Sequence, residues 1–153
     1  MTTRKTYEKK IRIHFGDCDP AGIVYHPQYY VILNQLMEDF MQEAAEVGFI
    51  EIRKYGVGFP VVGIRTDFSA PSRPGDVCVG RVWMEHLGAS SMRFAFTITS
   101  LEGEMRLKCL ETSVCVKSGP DGRFVKEPIP ARVREALAPY VNGPEDELLE
   151  LRS

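Results

Sequence analysis

The chain has 153 residues, 44% of them hydrophobic and 26% charged, with a net charge of -2. This suits a single globular domain spanning residues 1–153 with a proper core. It leaves no basic footprint for nucleic acid and no apolar run near the roughly 20 residues that span a bilayer. The opening MTTRKTYEKK is charged but leads into no apolar stretch, so the sequence predicts no signal peptide and a cytoplasmic protein.

Residues 7–15 read as a strand, with Tyr7, Lys9, Ile11, Ile13 and Phe15 on one face. A helix follows from Pro27 to Val47. Tyr29, Leu33, Leu36, Phe40, Ala44 and Val47 mark its apolar stripe, and Val31, Ile32, Met37 and Met41 widen it. So wide an arc predicts a helix wrapped by a sheet, with Gly48 as its C-cap. From Pro60 the period changes to two: Val62, Ile64, Thr66 and Phe68 alternate with Arg65 and Asp67. Further strands are predicted at 77–86, around Met92–Ile98 and over 104–117, with Ser118–Gly122 a plain loop. Residues 131–140 read as a short helix and about 141–153 as a flexible acidic tail. One long helix and successive strands with short turns argue for an antiparallel α+β domain.

The four cysteines (Cys18, Cys78, Cys109 and Cys115) form no C-x-x-C pair and read as free thiols of a reducing compartment. The three histidines (His14, His26 and His86) are too scattered for a metal site. Chemistry concentrates instead in residues 14–30, HFGDCDPAGIVYHPQYY. Two aspartates stand two residues apart, a Pro-Ala-Gly turn follows, and a helix opens at His26-Pro27. Proline suits the first helical turn because its missing N–H would have no partner there. The neighbouring free amides and the positive end of the helix dipole make that helix start a site for a developing oxyanion. Asp19 beside it either caps the turn through an Asx bond or serves as a carboxylate that attacks a carbonyl or activates water. Cys18 is no nucleophile, because both flanking carboxylates raise its pKa.

The segment resembles the active-site loop of the hotdog-fold 4-hydroxybenzoyl-CoA thioesterase family. Asp17, Asp19, Gly22, Val24 and Tyr30 match that family's D-x-D-x-x-G-x-V pattern and its later tyrosine. The wording GDCDPAGIV is that of the aryl-CoA branch, whereas Tyr25-His26 is similar to the Tol–Pal-associated branch. The resemblance implies a hotdog fold, with the antiparallel sheet wrapped around one long central helix. It implies acyl-CoA thioesterase activity on an aryl-CoA or a short to medium acyl-CoA, with coenzyme A part of the substrate and no separate cofactor. It further implies a homodimer with the site at its interface, assembling to a homotetramer. Asp19 takes the place of the catalytic carboxylate and Asp17 a structural hydrogen-bonding one. His26 takes that of the oxyanion donor, through its backbone N–H with an accessory imidazole.

Gly22 supplies the backbone freedom of the turn. Tyr25 and Tyr30 are candidates to line the acyl pocket. Asn34 stands where the 4-hydroxybenzoyl enzyme carries an aspartate that takes the phenol proton, so the acyl group here is open. The family's basic cluster near the middle loop is reduced to Arg93, which leaves Arg73, Arg123 and Lys126 as the other candidates for the coenzyme A phosphates. A carrier-protein thioester, a hotdog dehydratase and a non-catalytic acyl-thioester scaffold are the competing readings.

Overall fold

The computed structural model describes residues 5–141. The tail expected over about 141–153 therefore lies, apart from Val141, outside the described residues. Five antiparallel strands form one sheet in the order β1-β3-β4-β5-β2. These are β1 (Tyr7–Arg12), β2 (Val61–Phe68), β3 (Val77–Leu87), β4 (Ser91–Ser100) and β5 (Met105–Val114). The long helix α1 (His26–Asp39) packs across the sheet. This is the hotdog arrangement, an α+β fold. A short hairpin of β6 (Val116–Ser118) and β7 (Phe124–Lys126) follows β5, and α3 (Ala131–Leu137) with the 3-10 turn Ala138–Tyr140 closes the described chain.

Alternation explains which strand residues meet the helix. Cys78, Val82 and Met84 of β3, Phe94, Phe96 and Ile98 of β4, and Leu107 and Cys109 of β5 join the helix core of Leu33, Leu36, Phe40 and Met41. Gly80 sits where α1 crosses β3. A Cβ there would lie 2.8 Å from Cδ2 of Leu36, so the helix approaches the sheet as closely as it does because that position has no side chain.

Five expectations need correction. Strand β1 stops at Arg12, and Phe15 is 87% exposed on the 3-10 turn Phe15–Asp17 instead of sharing a face with Ile13. The predicted 27–47 helix is regular only through Asp39 and then widens into the π turn Phe40–Ala44. Val31 is exposed on its outer side. The left-handed residue that ends this run is Glu46 (φ 56°), while Gly48 is extended and begins a further short helix, α2 (Phe49–Ile52). Finally, Ser118–Gly122 is the turn of the β6–β7 hairpin, with Gly119 N–H donating to the Arg123 carbonyl.

Strand β2 is an edge of the sheet, paired only with β5. Val61, Val62, Ile64 and Phe68 are all exposed along it.

Candidate active site

The loop from His14 to Tyr25 is anchored at both ends by hydrogen bonds that its own sequence supplies. Asp17 Oδ2 accepts the His14 N–H (2.8 Å) and Oδ1 accepts from Gln28 Nε2 (3.0 Å), so this carboxylate ties the loop to the first turn of α1. The Asp17 carbonyl accepts the Tyr25 N–H (3.0 Å), and a bridge joins Cys18 to Val24. Between these anchors Asp19 Oδ1 accepts the Ala21 N–H (2.8 Å), an Asx turn, and the Asp19 carbonyl accepts the Gly22 N–H (2.9 Å). Gly22 takes a φ of 77°, the left-handed region that the turn requires. Asp19 thus shows the capping bond, and that bond engages one of its two oxygens.

A second turn, residues 71–76, backs this loop. Val24 N–H donates to the Ser72 carbonyl, Ile13 N–H donates to the Asp76 carbonyl, and the Ile13 carbonyl accepts the Gly75 N–H. Arg106 reaches over from β5, donating to the Pro71 carbonyl (2.9 Å), Ser72 Oγ (3.1 Å) and Asp76 Oδ2 (3.2 Å). The Arg73 N–H first, and the Arg106 guanidinium second, hold the Asp76 carboxyl below the usual carboxylate range.

Helix α1 begins at His26 with Tyr25 as N-cap and proline in its first turn. The first amides of a helix have no intrahelical acceptor. Pro27 has no N–H, and the Gln28 N–H is taken by the Tyr25 carbonyl (2.7 Å), so the His26 N–H is the first of the helix and has no backbone acceptor among the described residues. The exposed His26 ring packs against Tyr25 (centroids 5.6 Å apart) and meets Phe68 of β2 edge-on (6.4 Å). Burial, followed by the carboxylates of Asp17, Asp19 and Asp76, pushes the Cys18 thiol up and suppresses its thiolate.

A cavity of about 600 Å³ opens further along the same helix. Asn34, Met37 and Met41 of α1, Phe94 of β4, Glu111 and Ser113 of β5, and the 56–61 segment line it. Burial raises the Glu111 carboxyl above its ordinary range. Asn34 lies on this wall. Tyr30 instead donates to Thr66 Oγ1 (3.0 Å), and neither it nor Tyr25 lines the cavity of its own chain.

The four basic candidates do not converge. Arg73 is exposed on the 71–76 turn, and Arg93 donates to Thr112 Oγ1 on the sheet face opposite the cavity. Arg123 and Lys126 are exposed on the β6–β7 hairpin, whose Phe124 borders the cavity. Sequence reasoning missed Glu111. The alternation Leu107, Cys109, Glu111, Ser113 carried the signal, because it places a carboxylate on the inward face of β5. Among the described residues no group of three or more His, Cys, Asp or Glu side chains is placed to hold a metal, and no helix is long and apolar enough to cross a membrane.

The fold thus carries a turn-held carboxylate, Asp19, in the loop that leads into a helix start whose His26 N–H has no backbone acceptor among the described residues. Residues 13–137 match the family model of the Thioesterase-like superfamily, and the chain belongs to that family of thioester hydrolases. It is 27% identical over 111 residues to the provisionally named acyl-CoA thioesterase YneP of Bacillus subtilis, a match covering 71% of this chain and 78% of YneP. Among solved structures it is similar to a gentisyl-coenzyme A thioesterase (TM-score 0.71, 28% identity, 85% of this chain and 99% of that one). The 1,4-dihydroxy-2-naphthoyl-CoA thioesterase Slr0204 from Synechocystis shares the fold (TM-score 0.78, 21% identity, 88% and 96% covered).

Proposed function

We propose that this protein hydrolyses acyl-CoA thioesters, with an aryl or a short to medium acyl group, through Asp19 and the start of α1. The observation that carries this reading is a loop-held carboxylate in the segment that leads into a helix start whose first N–H has no backbone acceptor among the described residues. The carbonyl oxygen of the thioester would lie against the His26 N–H, where the helix dipole stabilises the negative charge that builds as the carbon becomes tetrahedral. Asp19 either attacks that carbon or removes a proton from the water that does. In the first route the C–S bond breaks to release the coenzyme A thiolate, and water then hydrolyses the mixed anhydride. In the second, water adds directly and the thiolate leaves from the same intermediate. A thiolate is a good leaving group, so neither route needs a strong acid. Arg73, Arg123 and Lys126 are the candidates for the coenzyme A phosphates, and no metal or separate cofactor enters either route.

The assembly that fits this chemistry is a homodimer joined along β2. Its exposed apolar edge is an unpaired template for a second strand. Phe68, at one end of β2, contacts the His26 ring, while Val61, at the other end, lines the cavity. Antiparallel pairing of two β2 strands would set the Phe68 end of one beside the Val61 end of the other. The Asp19 loop of each protomer would then face the cavity of its partner, which would receive the acyl group.

Assay of a panel of benzoyl, substituted benzoyl, phenylacetyl and straight-chain acyl-CoAs, with detection of the freed thiol, tests the reading. Turnover concentrated on one acyl class supports it and names the class. Wild-type protein that releases thiol from no CoA ester overturns it. His26→Ala, which keeps the backbone N–H, should retain activity to within about tenfold if the amide is the principal donor. A larger fall assigns the principal role to the imidazole.

A further inference from the structure

Glu111 is the buried group that the proposed chemistry leaves unused. It projects from β5 toward the helix and is 8% exposed. Apolar side chains, Met37, Met41, Phe49 and Phe94 among them, make up much of the cavity wall it joins. Burial alone accounts for its raised carboxyl, with no hydrogen bond or charge among the described residues acting against it. Buried carboxylates are ordinarily paired or hydrogen-bonded, because desolvation penalises the charged form. This one faces a cavity large enough for a small organic group.

We propose that Glu111 reads the acyl group: it accepts a hydrogen bond from a hydroxyl or amino substituent carried on the acyl ring or chain, and so selects substrates bearing that donor. The inference rests on the thioesterase reading and deepens it. In its ionised form Glu111 only accepts hydrogen bonds, so the partner it takes in that form must carry the donor. The surrounding methionine and phenylalanine side chains accept the apolar body of the acyl group, and Asn34 and Ser113 are uncharged polar side chains on the same cavity wall. An unsubstituted acyl group would leave the buried acceptor unpaired, and a site of that kind rejects such an analogue.

The test compares wild type with Glu111→Leu and Glu111→Gln on matched esters, benzoyl-CoA against the hydroxybenzoyl- and aminobenzoyl-CoA isomers. Binding of the corresponding non-hydrolysable S-phenacyl-CoA thioethers is measured alongside. Wild type should favour one substituted ester over benzoyl-CoA by about tenfold to a hundredfold in kcat/KM, the worth of one hydrogen bond to a charged acceptor. Glu111→Leu should bring that ratio close to one, by lowering kcat/KM for the substituted ester far more than for benzoyl-CoA, and should melt at a higher temperature than wild type because an unpaired buried carboxyl has been removed. Equal kcat/KM for the pair in wild type, or an unchanged ratio in Glu111→Leu, overturns the inference, as does a lower melting temperature accompanied by an equal loss on both esters. Failure of the thioesterase reading shows separately, as thioether binding with the expected preference but no turnover of any ester. Binding of neither thioether contradicts both readings.

Discussion

Asp17 and Asp19 stand two residues apart yet face different partners, because the 3-10 turn Phe15–Asp17 breaks the extended geometry that would align them. Asp17 spends both oxygens inside the fold, on His14 N–H and Gln28 Nε2. Asp17→Ala should therefore destabilise the protein by about 1–3 kcal/mol through the lost charged hydrogen bonds, as read from urea denaturation. The structural role expected of this residue is the one its bonds describe. Gly22 makes a cleaner case. A Cβ there meets nothing within 4 Å, so any cost of Gly22→Ala comes from forcing a side chain to φ 77°. That cost should be about 1–2 kcal/mol, again read from urea denaturation. A neutral Gly22→Ala would show that the loop readily finds another path.

At the scale of elements, the loop that carries Asp19 is only as fixed as the 71–76 turn behind it. Arg106 and the Arg73 N–H hold the Asp76 carboxylate in that turn. Its folded pKa is depressed, so its contribution to stability is present at neutral pH, above the unfolded value near 3.9, and is lost as pH falls below about 4. Asp76→Asn should lower the melting temperature at pH 7 and flatten its fall in acid. Parallel acid limbs for variant and wild type would contradict this.

The long strands and α1 were legible in the sequence because their burial repeats with a clear period. The stop of β1 at Arg12, by contrast, follows from Ile13 N–H bonding to the Asp76 carbonyl, a partner 63 positions away that no local pattern reveals. Gly48 misled for a related reason. The π turn advances the chain so that Glu46 takes the left-handed position and Val47 N–H reaches the Met41 carbonyl. Helix α2 and the β6–β7 hairpin are too short for periodicity to announce them.

For the whole molecule, the sequence marked the loop and the start of α1 but not the cavity. The cavity draws on α1, α2, β2, β4, β5, β6, β7 and the segment before β2, and only tertiary packing brings these together. Asn34 was legible by resemblance; Glu111 was not, because a single acidic residue in a strand reads as solvent-facing until the inward face is known. The unpaired β2 edge bears on assembly. Replacing Val62 and Ile64 together by lysine places like charges along both copies of that edge. If two copies pair along β2 as proposed, the variant should elute as a monomer in size-exclusion chromatography with light scattering and should lose thioesterase activity. A monomeric variant that keeps full activity would place the complete site within one chain.

The most direct test of the account is thiol release from the best acyl-CoA ester by wild type and by Asp19→Asn. Asparagine keeps the Oδ1 that caps Ala21 N–H, so the loop and the melting temperature should be preserved while the carboxylate chemistry is removed. The account predicts a fall in kcat of about 10²–10⁴ with an unchanged melting temperature. An Asp19→Asn protein that turns over at the wild-type rate would contradict it and leave Asp19 as nothing more than a turn residue.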